Sequence, residues 1–203
     1  MPISAVITAD IVNSTTLPPS AAKKMIDRLT RVITPFKYEF FRGDSFQVYL
    51  KDPRKALKVA LLLRGEARKF SSLHDIRACI GIGETNPRLK KLSTSTDEAF
   101  VLSGRNFDRL TETNRRLAIV SADEKVNQGF NAISAFIDYI FRDITEKQAE
   151  VLVHLLNGDT QQEVAKKLKK SPSTINKHTQ STGWNELIQL LNYYENIVST
   201  IID

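Results

Sequence analysis

The spacing of apolar residues changes once along this chain, near residue 121, and no motif constrains the fold as much. Before it, short alternating runs are separated by stretches of helical period; beyond it only helical period remains. Residues 3–9, with Ile3, Val6 and Ile7, read as a buried strand ending at Asp10, and Pro18-Pro19 opens a helix over about 20–33. Tyr38–Phe41 and Ser45–Tyr49 flank Arg42-Gly43-Asp44 as a tight hairpin. Pro53 starts a helix to about Phe70, with Leu57, Leu61 and Leu62 on its apolar face. Ile76–Ile82 is a strand, Asp97–Leu110 a helix and Leu117–Val120 a last strand. The order β-α-β-β-α-β-α-β predicts an α+β domain with a ferredoxin-like sheet over residues 1–122.

After it, Val126, Phe130, Ile133, Ile137 and Ile140 form one helical stripe in a connecting helix, 123–143. Such a stripe buries itself against its own domain or against a second copy. Residues 144–203 read as a separate all-α unit: a helix capped by Thr145, a short one opened at Thr160, a third at Ser171-Pro172 and a long amphipathic C-terminal helix.

Composition narrows the function classes. The net charge of +6 is uneven: residues 1–144 carry +7 and residues 145–203 carry −1. That excludes a simple basic tail, while the overall balance favours polyanionic partners. Cys79 is the only cysteine, so an internal disulfide framework and a Cys-rich zinc site are excluded. The first ten residues lack the basic start of a signal peptide, and no apolar run approaches the roughly 18 residues of a span. A cytoplasmic protein without membrane attachment is expected. His74, His154 and His178 have no metal-ligand spacing.

Asp10 ends the first strand and Asp44 sits in the hairpin turn of a neighbouring strand, so both carboxylates can converge at one edge of the expected sheet. Paired carboxylates suit Mg²⁺ or Mn²⁺ arriving with phosphates. The loop Val12-Asn13-Ser14-Thr15 precedes a helix N-terminus, where amides and dipole favour a phosphate. Each feature has a plainer alternative: Gly43-Asp44 as a good hairpin turn, and Asn13-Ser14-Thr15 as a helix cap.

At these residues the chain resembles class III nucleotidyl cyclases. Their first strand reads roughly F-x-D-I-x-G-[FS]-T against T-A-D-I-V-N-S-T here, and their hairpin K-x-x-G-D against F-F-R-G-D. I-G-I-G-E at 80–84 is similar to a later strand of that family. The chain resembles more closely the SatD-like family, a cyclase-like domain fused to a helix-turn-helix, through D-I-x-x-S at Asp10–Ser14, R-G-D-S-F-Q at Arg42–Gln47 and the helix start at Asp97–Phe100. The resemblance implies metal ligation by Asp10 and Asp44 and contact with a nucleotide through Asn13, Ser14, Arg42, Gly43, Ser45, Gln47 and Arg105. Phe40 stands in the cyclase lysine slot and Val101 in an asparagine slot. Losing such donors could lower the rate by about 10² to 10³ each. Binding is therefore expected in place of turnover, with an active metal-dependent cyclase or phosphoryl-transfer enzyme as the alternative.

T-Q-Q-E-V-A-K-K-L-K-K-S-P-S-T-I-N-K-H-T-Q matches a helix-turn-helix, and S-P-S-T-I-N-K-H resembles the recognition-helix start of LuxR-type and sigma-region-4-type regulators. Ser173, Thr174, Asn176, Lys177 and Gln180 are the expected major-groove residues, with Lys169 and Lys170 on phosphates. A small helical bundle for protein contacts is the other reading. Together these features predict a DNA-binding, homodimeric regulator with a degenerate cyclase-like sensor for a small phosphorylated ligand.

Overall fold

The computed structural model of the protein describes residues 1–41, 43–89 and 91–202. Strand β1 (Ile3–Val12) lies centrally in a five-stranded sheet. It is antiparallel to β3 (Ser45–Leu50) and to β4 (Asp75–Glu84). Outside these lie β2 (Lys37–Phe41), antiparallel to β3, and β5 (Leu117–Ser121), parallel to β4. Helix α1 (Pro19–Ile33) joins β1 to β2 and α2 (Ala56–Phe70) joins β3 to β4, so the first four strands have the ferredoxin-like order. Helix α3 (Glu98–Thr111) and β5 extend it, and the expected α+β class holds.

One expectation is corrected. Asp10 does not end β1; the strand runs on to Val12, because Asp10 pairs with Arg77 and Val12 with Asp75 on the long β4. Alternation then sorts the side chains of β1. Ala5, Ile7, Ala9 and Ile11 enter the main core with Met25 and Leu29 of α1. Ser4, Val6, Thr8 and Asp10 take the other face, where Thr8 Oγ1 donates to Ser103 Oγ of α3 at 2.9 Å.

Helix α4 (Glu124–Arg142) turns its stripe inward: Phe130, Ile133, Ile137 and Phe141 are buried in the main core, with Val126 and Ile140 partly buried against it. Helices α5 (Glu146–Leu156), α6 (Gln161–Leu168), α7 (Pro172–Ser181) and α8 (Trp184–Ile202) follow. Although residues 144–203 read as a unit of their own, Ala149, Leu152, Leu187, Leu191, Tyr194 and Val198 lie in the same core as the sheet. Tyr194 Oη donates to the Pro53 carbonyl at 2.7 Å, with both groups buried. Gly65 of α2 allows α5 to approach, since a Cβ there would lie 2.6 Å from Val153 Cγ2. Helix α2 is therefore buried almost all round, between sheet and α5, and not along one face as its leucines alone suggest.

Among the described residues Arg64 is the largest fully buried side chain. Its guanidinium donates from Nε and Nη2 to Asp75 at 3.0 and 2.9 Å and from Nη1 to Asp138 at 2.7 Å, tying α2 to β4 and α4. Asp138 also accepts from the backbone N–H groups of Arg116 and Leu117. Among the described residues no helix is long and apolar enough to cross a membrane. Burial pushes the Cys79 thiol up to about 12, which makes it an unreactive core group.

Candidate functional site

Strand register places Asp10 directly between Ser45 and Arg77. Arg77 Nη1 donates to Asp10 Oδ2 at 3.3 Å, whereas among the described residues the buried Oδ1 has no hydrogen-bond partner. Burial raises the Asp10 pKa above its ordinary value; Arg77 and Arg116 pull it back and the charge of Asp44 pushes it further up. Asp44 is held from two sides, accepting from Ser14 Oγ at 2.5 Å and Ser45 Oγ at 3.4 Å. Gly43 makes the turn possible with φ at 83°, a left-handed conformation that costs a Cβ-bearing residue. Arg42 lies outside the described residues.

Gln47 shares this face of the sheet, one pleat further on. Its Nε2 donates to Thr8 Oγ1 at 3.3 Å, and among the described residues its buried Oε1 is without a partner. Asp10, Ser14, Gly43, Asp44, Ser45 and Gln47 thus gather along one part of the sheet. Two expected residues do not join them. Asn13 adopts φ 61° and donates from Nδ2 to the Leu73 carbonyl at 2.7 Å, so its amide fixes the loop. Arg105 is exposed, and two residues on from buried Ser103 it points to the opposite side of α3.

Arg77 and Arg116 escaped the sequence reading. The signal lay in β4: with Ala78, Ile80 and Ile82 facing the core, Arg77 had to share the face of Asp10.

A metal can be tested against these groups. Among the described residues no group of three His, Cys, Asp or Glu side chains could hold an ion. Two acidic side chains with one orphan oxygen fit a Mg²⁺ or Mn²⁺ that brings phosphate and water ligands, and do not fit a cation caged by protein alone.

The same charge has a consequence for stability. Because the folded state raises the Asp10 pKa, it binds the proton more tightly than the unfolded chain, and stability falls as pH rises through that window. Asp10→Asn is expected to raise the melting temperature at neutral pH, with the gain fading as acid protonates wild-type Asp10. Thermal unfolding from pH 3 to pH 7 checks this; an Asn variant less stable at neutral pH would show Asp10 to be a structural partner of Arg77.

The C-terminal helices hold a second cluster. Val151 and Leu155 of α5, Val164 and Ala165 of α6 and Ile175 of α7 form a small core flanked by Leu168 and Trp184. Reciprocal capping boxes start α5 (Thr145 with Gln148) and α6 (Thr160 with Glu163). Lys169 closes α6 in the left-handed conformation, at φ 52°, where such a turn usually carries glycine. Ser171 Oγ caps α7 by accepting from the Thr174 N–H at 3.2 Å. Thr174 is half-buried with its hydroxyl 2.8 Å from Ser171 Oγ, so it belongs to the cap. Ser173, Asn176, Lys177 and Gln180 are exposed at i, i+3, i+4 and i+7, and Lys169 and Lys170 are exposed beside them. Lys167 is engaged by both oxygens of Asp159, at 2.7 and 2.8 Å.

No family model matches the chain. No curated protein matches it either. Among solved structures it is similar to one described as a bacterial light-regulated adenylyl cyclase, at 15% identity and a TM-score of 0.39, over 59% of this chain. The chain spans 43% of the length of that protein. The fold rests on the strand order and register described above.

Proposed function

We propose that this chain is a DNA-binding regulator whose sheet is a degenerate nucleotidyl-cyclase-like sensor for a phosphorylated ligand. The observation that carries this is the row Ser173, Asn176, Lys177 and Gln180, exposed on a capped helix whose other side, at Ile175 and Thr179, is buried. Asn and Gln present the paired donor and acceptor that adenine matches in the major groove, while Lys177, Lys169 and Lys170 can neutralise phosphates. The SatD-like resemblance supports the pairing of such a helix with a cyclase-like sheet. On the sheet, Asp10 and Asp44 would hold the metal carried by the ligand, with Ser14, Ser45 and Gln47 beside them. A homodimer would present two recognition helices to two half-sites. Its contacts would come from groups such as Phe136, Tyr139 and Tyr193, which are exposed, because the α4 stripe is buried inside the chain.

Anisotropy titration of a random duplex pool, followed by the selected duplex, tests the reading. Affinity is expected to fall with salt, and Asn176→Ala to cost about 1–3 kcal/mol on the selected site. Failure of any duplex to bind in a salt-dependent way would leave α7 a protein-contact helix.

One observation favours the enzymatic alternative: among the described residues the buried Oδ1 of Asp10 has no hydrogen-bond partner. Against it, Phe40 packs on Phe46 at 5.1 Å and on Tyr38 at 6.1 Å, so an aromatic cluster fills the lysine slot. Incubation with ATP or GTP and Mn²⁺ is expected to yield no cyclic nucleotide above background. Metal-dependent production abolished by Asp44→Ala would establish the enzyme.

A further inference from the structure

A groove lies away from both sites, between α1 and α2. This groove of about 640 Å³ is lined by Val32, Pro35, Phe36, Val59 and Leu62, with Asn157 also in its lining. Its polar lining is one-sided: Arg28, Arg31, Lys55, Lys58 and Lys69 against the single acid Glu66. Glu66 is already engaged by Lys69 at 3.0 Å. Among the described residues Arg28, Arg31 and Lys58 make no salt bridge. Cations held around one hollow repel one another, and the arrangement is favourable when an anion sits among them.

The walls decide what kind of anion. A phosphodiester track needs only a charged surface, whereas an apolar floor in a hollow of this size suits a small molecule with a flat hydrophobic body. Arg28 already stands over the Phe70 ring at 5.7 Å, as cations do on aromatic surfaces. Of the lining residues, Asn157 is the C-cap of α5; Gly158, Asp159 and the Thr160 cap then lead directly into α6. We propose that this groove is a second, metal-independent binding site for a phosphorylated small molecule with a flat apolar body, seated against the turn that launches the helix-turn-helix. It is independent of the Asp10–Asp44 reading.

Calorimetric titration of the full chain in EDTA, with ATP and with 1-naphthyl phosphate as probes, tests it. At least one probe is expected to bind, more tightly than tripolyphosphate or adenosine alone. Arg31→Glu with Lys58→Glu, both exposed positions, should weaken binding by roughly tenfold or more, and Arg31→Gln with Lys58→Gln by less. Asp44→Ala should leave it unchanged. Failure of both probes to bind in EDTA overturns the site, as does binding that the double variant leaves intact. Tripolyphosphate binding as tightly as ATP would reduce the groove to a charged surface, and loss of binding in Asp44→Ala would assign it to the sheet. Displacement of ATP by a DNA duplex that the double variant no longer binds would make the groove a nucleic-acid surface and overturn the small-molecule site.

Discussion

Arg64→Ala is expected to destabilise the protein by about 3–5 kcal/mol, the cost of leaving buried carboxylates without their cation. Arg64 is 1% exposed, and its fork is shared between Asp75 and Asp138, themselves 4% and 17% exposed. Burial alone would favour deprotonation of Arg64; the two carboxylates reverse that and raise its pKa, so the charge is held by this geometry. The guanidinium also lies 4.4 Å over the Phe141 ring, adding a contact to the same helix as Asp138. In urea the loss reads as a fall of about 1–2 M in the midpoint. Arg64→Lys should recover little, because an ammonium cannot serve a bidentate carboxylate and a third acceptor in one plane. A midpoint near wild type in the alanine variant would mean that Asp75 and Asp138 find water or other partners, and that α2, β4 and α4 are held by apolar contacts alone.

This network marks where the sequence stopped being legible. Alternation and helical spacing are local, and they were enough to order the strands and to bring Asp10 and Asp44 to one sheet. Reading Asp10 as the end of β1 failed because strand length is set by the partner: Arg77 and Asp75 continue the ladder on β4, far along the chain. Arg64 looks like an ordinary polar position on a helix, and only the arrival of Asp138, 74 residues later, shows why it is buried. The stripe on α4 says that something covers it without saying what. For α7, spacing marked Ser173, Asn176, Lys177 and Gln180 as one exposed row, while the half-buried Thr174 depended on rotamers around the Ser171 cap. Arg105 was placed by a motif slot, and the rotation of α3 sends it away from Asp10.

What covers the α4 stripe decides how the two halves can communicate, and Ile133→Asp reads it out. Ile133 is 4% exposed, in one core cluster with Phe130 and Ile137 of its own helix, Ile80 of β4 and Leu191 and Val198 of α8. A carboxylate there is buried without a partner, a change in the class that exceeds about 4 kcal/mol. Had α4 been a spacer between independent units, the variant would spare the C-terminal helices. With a shared core, it should weaken both. Trp184, the only tryptophan, packs against the small cluster of α5–α7 as well as against the main core. Its fluorescence reports the C-terminal helices while far-ultraviolet dichroism reports the whole chain. The expected result is one denaturation transition in wild type, coincident by both probes, and the same large downward shift in both for Ile133→Asp. A Trp184 transition that stays at its wild-type midpoint would separate the halves energetically. Any influence of a ligand at the sheet or in the α1–α2 groove on the α7 row would then have to travel through the α5–α6 turn alone.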